Sequence, residues 1–108
     1  FEATKSASVT YAVRDTNIDG FDLSVGEIIG LDGSHILAKG NDVEATTIEL
    51  IGKMVDDDVV NITLFYGSDV STGDAEHLKS SLEEIYPLCD INVIAGGQPV
   101  YYYLISLE

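Results

Sequence analysis

Val59 to Tyr66 (Val-Val-Asn-Ile-Thr-Leu-Phe-Tyr) is a near-continuous run of β-forming residues closed by Gly67-Ser68-Asp69. Such a run suits an interior strand of a layered sheet. Helical periodicity flanks it on both sides. Before it, Val43, Thr47, Leu50, Ile51 and Met54 repeat at helical spacing, predicting a helix that ends near Val55. Asn41 or Asp42 can cap that helix by accepting from its free N–H groups. The Asp56-Asp57-Asp58 run opposes the helix dipole at its C-terminal end and reads as a solvated connection. After the β run, Ser71 with Asp74 resembles a capping arrangement. Ala75, Leu78, Leu82 and Ile85 then form a buried stripe, and Pro87 stops the helix. Strands alternating with helices predict an α/β fold, a two-layer mixed sheet with two main helices.

The remaining segments read as strands and turns. Ser6 to Val13 alternates with period two, Ala7, Val9, Tyr11 and Val13 on one side. Arg14 to Gly20 is a polar turn. Phe21, Leu23 and Val25 are spaced by two, and Val25-Gly26-Glu27 looks like a second turn. Asp32-Gly33-Ser34 between Ile28–Leu31 and His35–Ala38 predicts a β-hairpin. Ile91 to Ala95 is a strand, Gly96-Gly97-Gln98-Pro99 a turn, and Val100 to Leu107 a last strand, expected to pair antiparallel with the one before it. Residues 1–108 are expected to form a single domain.

Charge narrows the partners. Five Lys/Arg stand against nineteen Asp/Glu, a net charge of −14 in 108 residues. Such a surface repels phosphate backbones and anionic lipid heads, which argues against nucleic acid and membrane surfaces. No apolar stretch approaches the roughly 20 residues of a membrane span, and no signal-peptide pattern opens the chain. Cys89 stands alone, so neither an internal disulfide nor a multi-cysteine metal site is available. Phe1 in place of Met predicts a piece cut from a longer protein, and the strand ending at Glu108 reads as a natural terminus.

Candidate chemistry is sparse. Asp15-Thr16-Asn17-Ile18-Asp19-Gly20 matches the first six positions of a calcium loop, but the twelfth position is Gly26 rather than Glu. The favoured reading is a polar turn, with no metal site. His35 and His77 lack an orienting group and a nucleophile in sequence. Cys89 reads as a small buried residue. Gly96–Pro99 lacks the Lys and Ser/Thr of a phosphate loop. Tyr101, Tyr102 and Tyr103 alternate, so at least one faces away from the core, where tyrosine suits a protein interface. Arg14, beside Asp15 and near Asp19, reads first as an intrachain ion pair and second as a partner-binding cation. No catalytic residue is assigned.

Two sets of segments carry a resemblance. The first is Tyr11-Ala-Val-Arg-Asp-Thr16, Asp19-Gly20 and Gly26-Glu27-x-x-Gly30. The second is Ile62-Thr-Leu-Phe-Tyr-Gly67 with Asp69-Val70, Gly96-Gly-Gln-Pro99 and Tyr101-Tyr-Tyr-Leu-Ile105. Together they resemble the C-terminal domain of dihydroxyacetone-kinase-like fusion proteins, the ATP-binding subunit of bacterial fatty acid kinase, also met under the names glycerone kinase and DAK phosphatase. The second half also looks like the C-terminal half of DegV-type fatty-acid-binding proteins. The resemblance implies a DegV-like fold and a non-catalytic C-terminal fragment of a cytoplasmic, bacterial kinase-like protein. Its parent would use ATP and magnesium, neither of them bound by this fragment, and a homodimer could form through the parent. A DegV-like protein would present the acyl carboxylate for phosphorylation and dock on this domain. The docking surface expected here comprises Arg14, Asp15, Gly97, Gln98 and Tyr102. The alternatives are a structural or dimerising domain, or a small-ligand domain using the Asp15–Gly20 loop and the Gly96–Pro99 turn.

Overall fold

The computed structural model describes residues 5–108 except Asp19, Ser34 and Val100. Its elements run β1 (Lys5–Tyr11), β2 (Thr16–Ile18), β3 (Phe21–Leu23), β4 (Ile28–Asp32), β5 (His35–Gly40), α1 (Val43–Met54), β6 (Asn61–Tyr66), α2 (Thr72–Ile85), β7 (Asp90–Ala95) and β8 (Tyr103–Leu107). Six strands form one mixed sheet in the order β5-β4-β1-β8-β6-β7, and β2-β3 form a separate pair. The fold is the expected two-layer α/β arrangement with two helices. Among the described residues no helix is long and apolar enough to cross a membrane.

Both helices start where the sequence places them. Asp42 caps α1, its carboxylate accepting from the Ala45 N–H at 2.8 Å. Ser71 caps α2 in the same way, accepting from the Asp74 N–H at 3.1 Å. Each cap satisfies an N–H that the first turn leaves without a partner. α1 lays Leu50 and Ile51, both fully buried, on the sheet. Gly30 of β4 makes the seat: a Cβ there would lie 3.0 Å from Leu50 Cδ2. α2 contributes Ala75, Leu78 and Leu82 from the expected stripe.

Alternation along the strands separates two clusters. Val9, Ile28, Ile62, Leu64, Ile105 and Leu107 face the helices and build the main core. On the reverse face, Ile29 and Ile36 pack with Leu23 and Ala12, so the β2-β3 pair covers the β4-β5 end of the sheet. Lys5 fastens the opposite end of β1, donating to Met54 O at 2.8 Å and to Asp56 Oδ2 at 2.6 Å. The Lys5 ammonium holds the Asp56 carboxyl below its ordinary value. One member of the Asp56–Asp58 run is therefore tied to β1, and all three remain exposed.

Several expectations are corrected. β8 does not pair with β7. It inserts between β1 and β6, antiparallel to both, while β7 runs parallel to β6 at the sheet edge. The 96–102 segment crosses the end of β6, with Gly96 N–H and Gly97 N–H both donating to Tyr66 O. Crossing gives β8 two hydrogen-bonding partners and buries Tyr103, Ile105 and Leu107. Strand structure starts at Tyr103 rather than at Val100, which lies outside the described residues. β1 ends at Tyr11, and Val13 is 72% exposed, because the chain leaves the sheet there for the β2-β3 pair. That pair occupies part of the expected Arg14–Gly20 turn. Ile85 is exposed rather than buried. It sits in the last turn of α2, and Tyr86, the C-cap, packs on the core instead. The β4-β5 hairpin forms as read, although Ser34 in its turn is outside the described residues.

Candidate functional site

The topology brings one end of every central strand together. The C-terminal ends of β1, β6 and β7 meet the N-terminal end of β8. Segments distant in sequence therefore meet there. Tyr102 N–H donates to Val9 O at 2.8 Å, and Gly67 N–H donates to Tyr102 O at 2.8 Å. Ser68 N–H donates to Gln98 O at 3.0 Å. The rings of Tyr11 and Tyr102 lie 5.9 Å apart at 57°. Gly67 is crowded by backbone: a Cβ there would collide with the carbonyl oxygens of Tyr101 and Gln98. This close approach is what locks the 96–102 segment onto the end of β6.

The expected docking residues sit around this end in different conditions. Arg14 is exposed and forms no ion pair with any described residue, so the intrachain pair read first is not formed among them; Asp19, one of its two expected partners, lies outside them. Arg14 lines a hollow of about 240 Å³ with Tyr11, Val13, Thr16, Ile18 and Leu23. Asp15 is engaged, its Oδ1 accepting from the Val25 N–H at 2.8 Å. Gly97 is exposed at a left-handed φ of 69°. Gln98 braces its own loop, its Nε2 donating to Phe65 O at 2.9 Å. Tyr102 is half-buried and joins the Gly67 side to the Tyr11 side. Of the three tyrosines, Tyr101 is exposed and Tyr103 is 2% exposed.

The calcium-like segment contains β2 and leads into β3. Asn17 Nδ2 donates to Asp22 Oδ1 at 2.8 Å across the β2-β3 pair, and Asp19 lies outside the described residues. Among the described residues, no three His, Cys, Asp or Glu side chains are grouped closely enough to hold a metal ion. Cys89 is half-buried, its thiol 3.4 Å from Val59 O.

A second feature at this end was not legible in the sequence. The N-termini of α1 and α2 flank a cleft of about 410 Å³. Asp42, Glu44, Asp69, Asp74, His77, Tyr102 and Tyr103 line it. His77 Nδ1 lies 2.7 Å from Glu44 Oε1, bridging the two helices. That hydrogen bond, helped by the charges of Glu44 and Asp74, raises the His77 pKa above the ordinary 6.5. Tyr103 comes up from the sheet below. Burial, then the charges of Asp74 and Glu44, push its phenol up to about 12. Each cap was readable, but the convergence of the two helix starts depends on strand order, which periodicity does not encode.

The sequence is similar to a protein family and to longer proteins over nearly its whole length. A family model for the C-terminal domain of FakA-like fatty acid kinase proteins matches residues 1–108. An uncharacterized protein of Staphylococcus haemolyticus (strain JCSC1435) is 38% identical over 107 residues, 99% of this chain and 19% of that protein. One from Staphylococcus aureus (strain MRSA252) is 38% identical over 104 residues, 96% of this chain and 19% of that protein. The chain thus spans about a fifth of the length of these relatives.

Proposed function

Because the chain belongs to the FakA-like C-terminal family of fatty acid kinase, we propose that it is the non-catalytic domain through which a fatty acid kinase docks its DegV-like fatty-acid-binding protein. The observation that carries this reading is the gathering of the family-like segments at one end of the sheet. Tyr11–Thr16, Gly67–Val70 and Gly96–Tyr103 are far apart in sequence; the Tyr11–Tyr102 ring contact joins the first to the third, and the Gly67 and Ser68 N–H groups join the second to the third. ATP and magnesium would be held by the rest of the parent in its cytoplasmic setting, and the fatty acid by the docked protein. What this domain contributes is position: it brings the acyl carboxylate to a kinase site elsewhere in the parent protein.

The net charge of −14 favours a basic partner face and an association rate that falls as salt rises. The test is an amide NMR titration of the chain with a fatty-acid-loaded DegV-like protein at low and high salt. Shifts clustered at Arg14, Gly97 and Tyr102, weakened by salt, are expected. Absence of shifts at high partner concentration would overturn the reading.

A structural reading has one observation in its favour. Ile94, Phe65 and Leu104 lie side by side across β7, β6 and β8, on the sheet face away from the helices, and all three are exposed. Self-association through that row would appear as a concentration-dependent mass in sedimentation, with no response to the DegV-like protein.

A further inference from the structure

We propose that the cleft between the starts of α1 and α2 is a receptor for a single arginine side chain presented by a protein partner. Identifying that arginine with one on the docked fatty-acid-binding protein rests on the docking reading; the cleft's preference for a guanidinium does not.

Four carboxylates rim the cleft, Asp42 and Glu44 from α1 and Asp69 and Asp74 from the start of α2, with His77 as the one basic group lining it. Acidity alone would not make a site. The independent observation is Tyr103. It is 2% exposed, yet its hydroxyl makes no hydrogen bond to any described residue. No buried side-chain oxygen among the described residues lacks a partner. The phenol oxygen therefore keeps its residual solvent access, and Tyr103 lines the cleft. Its hydroxyl therefore meets the cleft as an acceptor that no described side chain uses.

The chemistry of the occupant follows by elimination. An anion is disfavoured, although two helix N-termini point here, because Asp42 and Ser71 already cap them and the rim is acidic. A metal ion needs converging ligands, and the carboxylates are too far apart to supply three. A guanidinium fits what remains. It is planar and spreads five N–H donors, so it can meet separated carboxylates and the phenol oxygen at once. It can also lie against an aromatic ring, and the half-buried Tyr102 provides one. An ammonium is a compact point charge and would reach fewer of these acceptors. The volume of about 410 Å³ accommodates one long side chain rather than a folded segment.

The test needs no partner protein. The 15N-labelled chain is titrated with N-acetyl-arginine amide, N-acetyl-lysine amide and N-acetyl-citrulline amide. Citrulline keeps the shape of arginine and removes its charge. Saturable shifts at Glu44, Asp74, His77 and Tyr103 are expected, strongest for arginine, weaker for lysine and absent for citrulline. Tyr103→Phe removes one oxygen and no packing. It should weaken arginine binding by about threefold to tenfold, the range of one lost hydrogen bond, with an unchanged melting temperature. The double variant Glu44→Gln, Asp74→Asn should weaken it by at least about tenfold. Equal shifts with citrulline, shifts scattered over the acidic surface without saturation, or arginine binding unchanged by Tyr103→Phe would overturn the proposal. A failed titration leaves the docking measurement standing, and a failed docking leaves the pocket standing, so the two are read separately.

Discussion

On the helix face of the sheet, Leu64 and Ile105 are 0% and 3% exposed; one residue along the same strands, Phe65 and Leu104 face the other way at 36% and 37%. The residues differ little in apolarity. What differs is the cover. α1 and α2 cover the first face, whereas among the described residues the reverse face is covered over β4-β5 by the short β2-β3 pair. Burial here is a property of the neighbouring layer rather than of the strand that supplies the side chain. The same β6 therefore contributes core at Ile62 and Leu64 and surface at Phe65.

Truncating each region in turn grades the contrast. Leu50→Ala empties the seat over Gly30 in the fully enclosed core and should cost about 3 kcal/mol in urea unfolding. Ile29→Ala, under the smaller hairpin cluster, should cost about 2 kcal/mol, because fewer atoms surround it and the cluster can close in. Phe65→Thr on the uncovered part should cost less than about 1 kcal/mol, since it keeps a β-forming residue and loses little buried area. A cost at Phe65 equal to that at Leu50 would mean the reverse face is covered in solution.

The smallest effect lies at the rim of the helix face. The folded state raises the His77 pKa above 6.5, first through its hydrogen bond to Glu44. A raised folded value stabilises the protein below the unfolded pKa, and the contribution is lost as pH rises through the folded pKa. His77 is exposed, so the stability change is small, and the ring's own NMR titration is the better readout. Its midpoint should lie above 6.5 and fall back toward it in Glu44→Gln. An unchanged midpoint would show that the pair does not persist in solution.

These contrasts also mark what the sequence could say. Local signals were read correctly where one segment decides its own structure. The Asp42 and Ser71 caps, the stripe through Leu50 and Leu82, and the Asp32-Gly33 hairpin are of this kind. Misreadings arose where a distant strand decides. Gly96–Pro99 looks like a hairpin turn because its glycines and proline are turn chemistry, but the vacancy between β1 and β6 is the better place for β8. Ile85 continues the helical stripe of α2, yet its turn is the last one and Tyr86 takes the core position. The candidate site shows the same division. Tyr102 and Gly97 are nominated by motif alone, whereas the α1–α2 cleft needs the strand order that brings two helix starts side by side.

The central position of β8 also sets a schedule. Chains emerge from the ribosome N-terminus first, and β8 follows every other strand of the sheet it completes. Without it, β5-β4-β1 and β6-β7 share no strand pairing, and β1 and β6 would each be an unpaired edge. The six-stranded sheet therefore cannot be complete until Tyr103–Leu107 is available to pair with both β1 and β6.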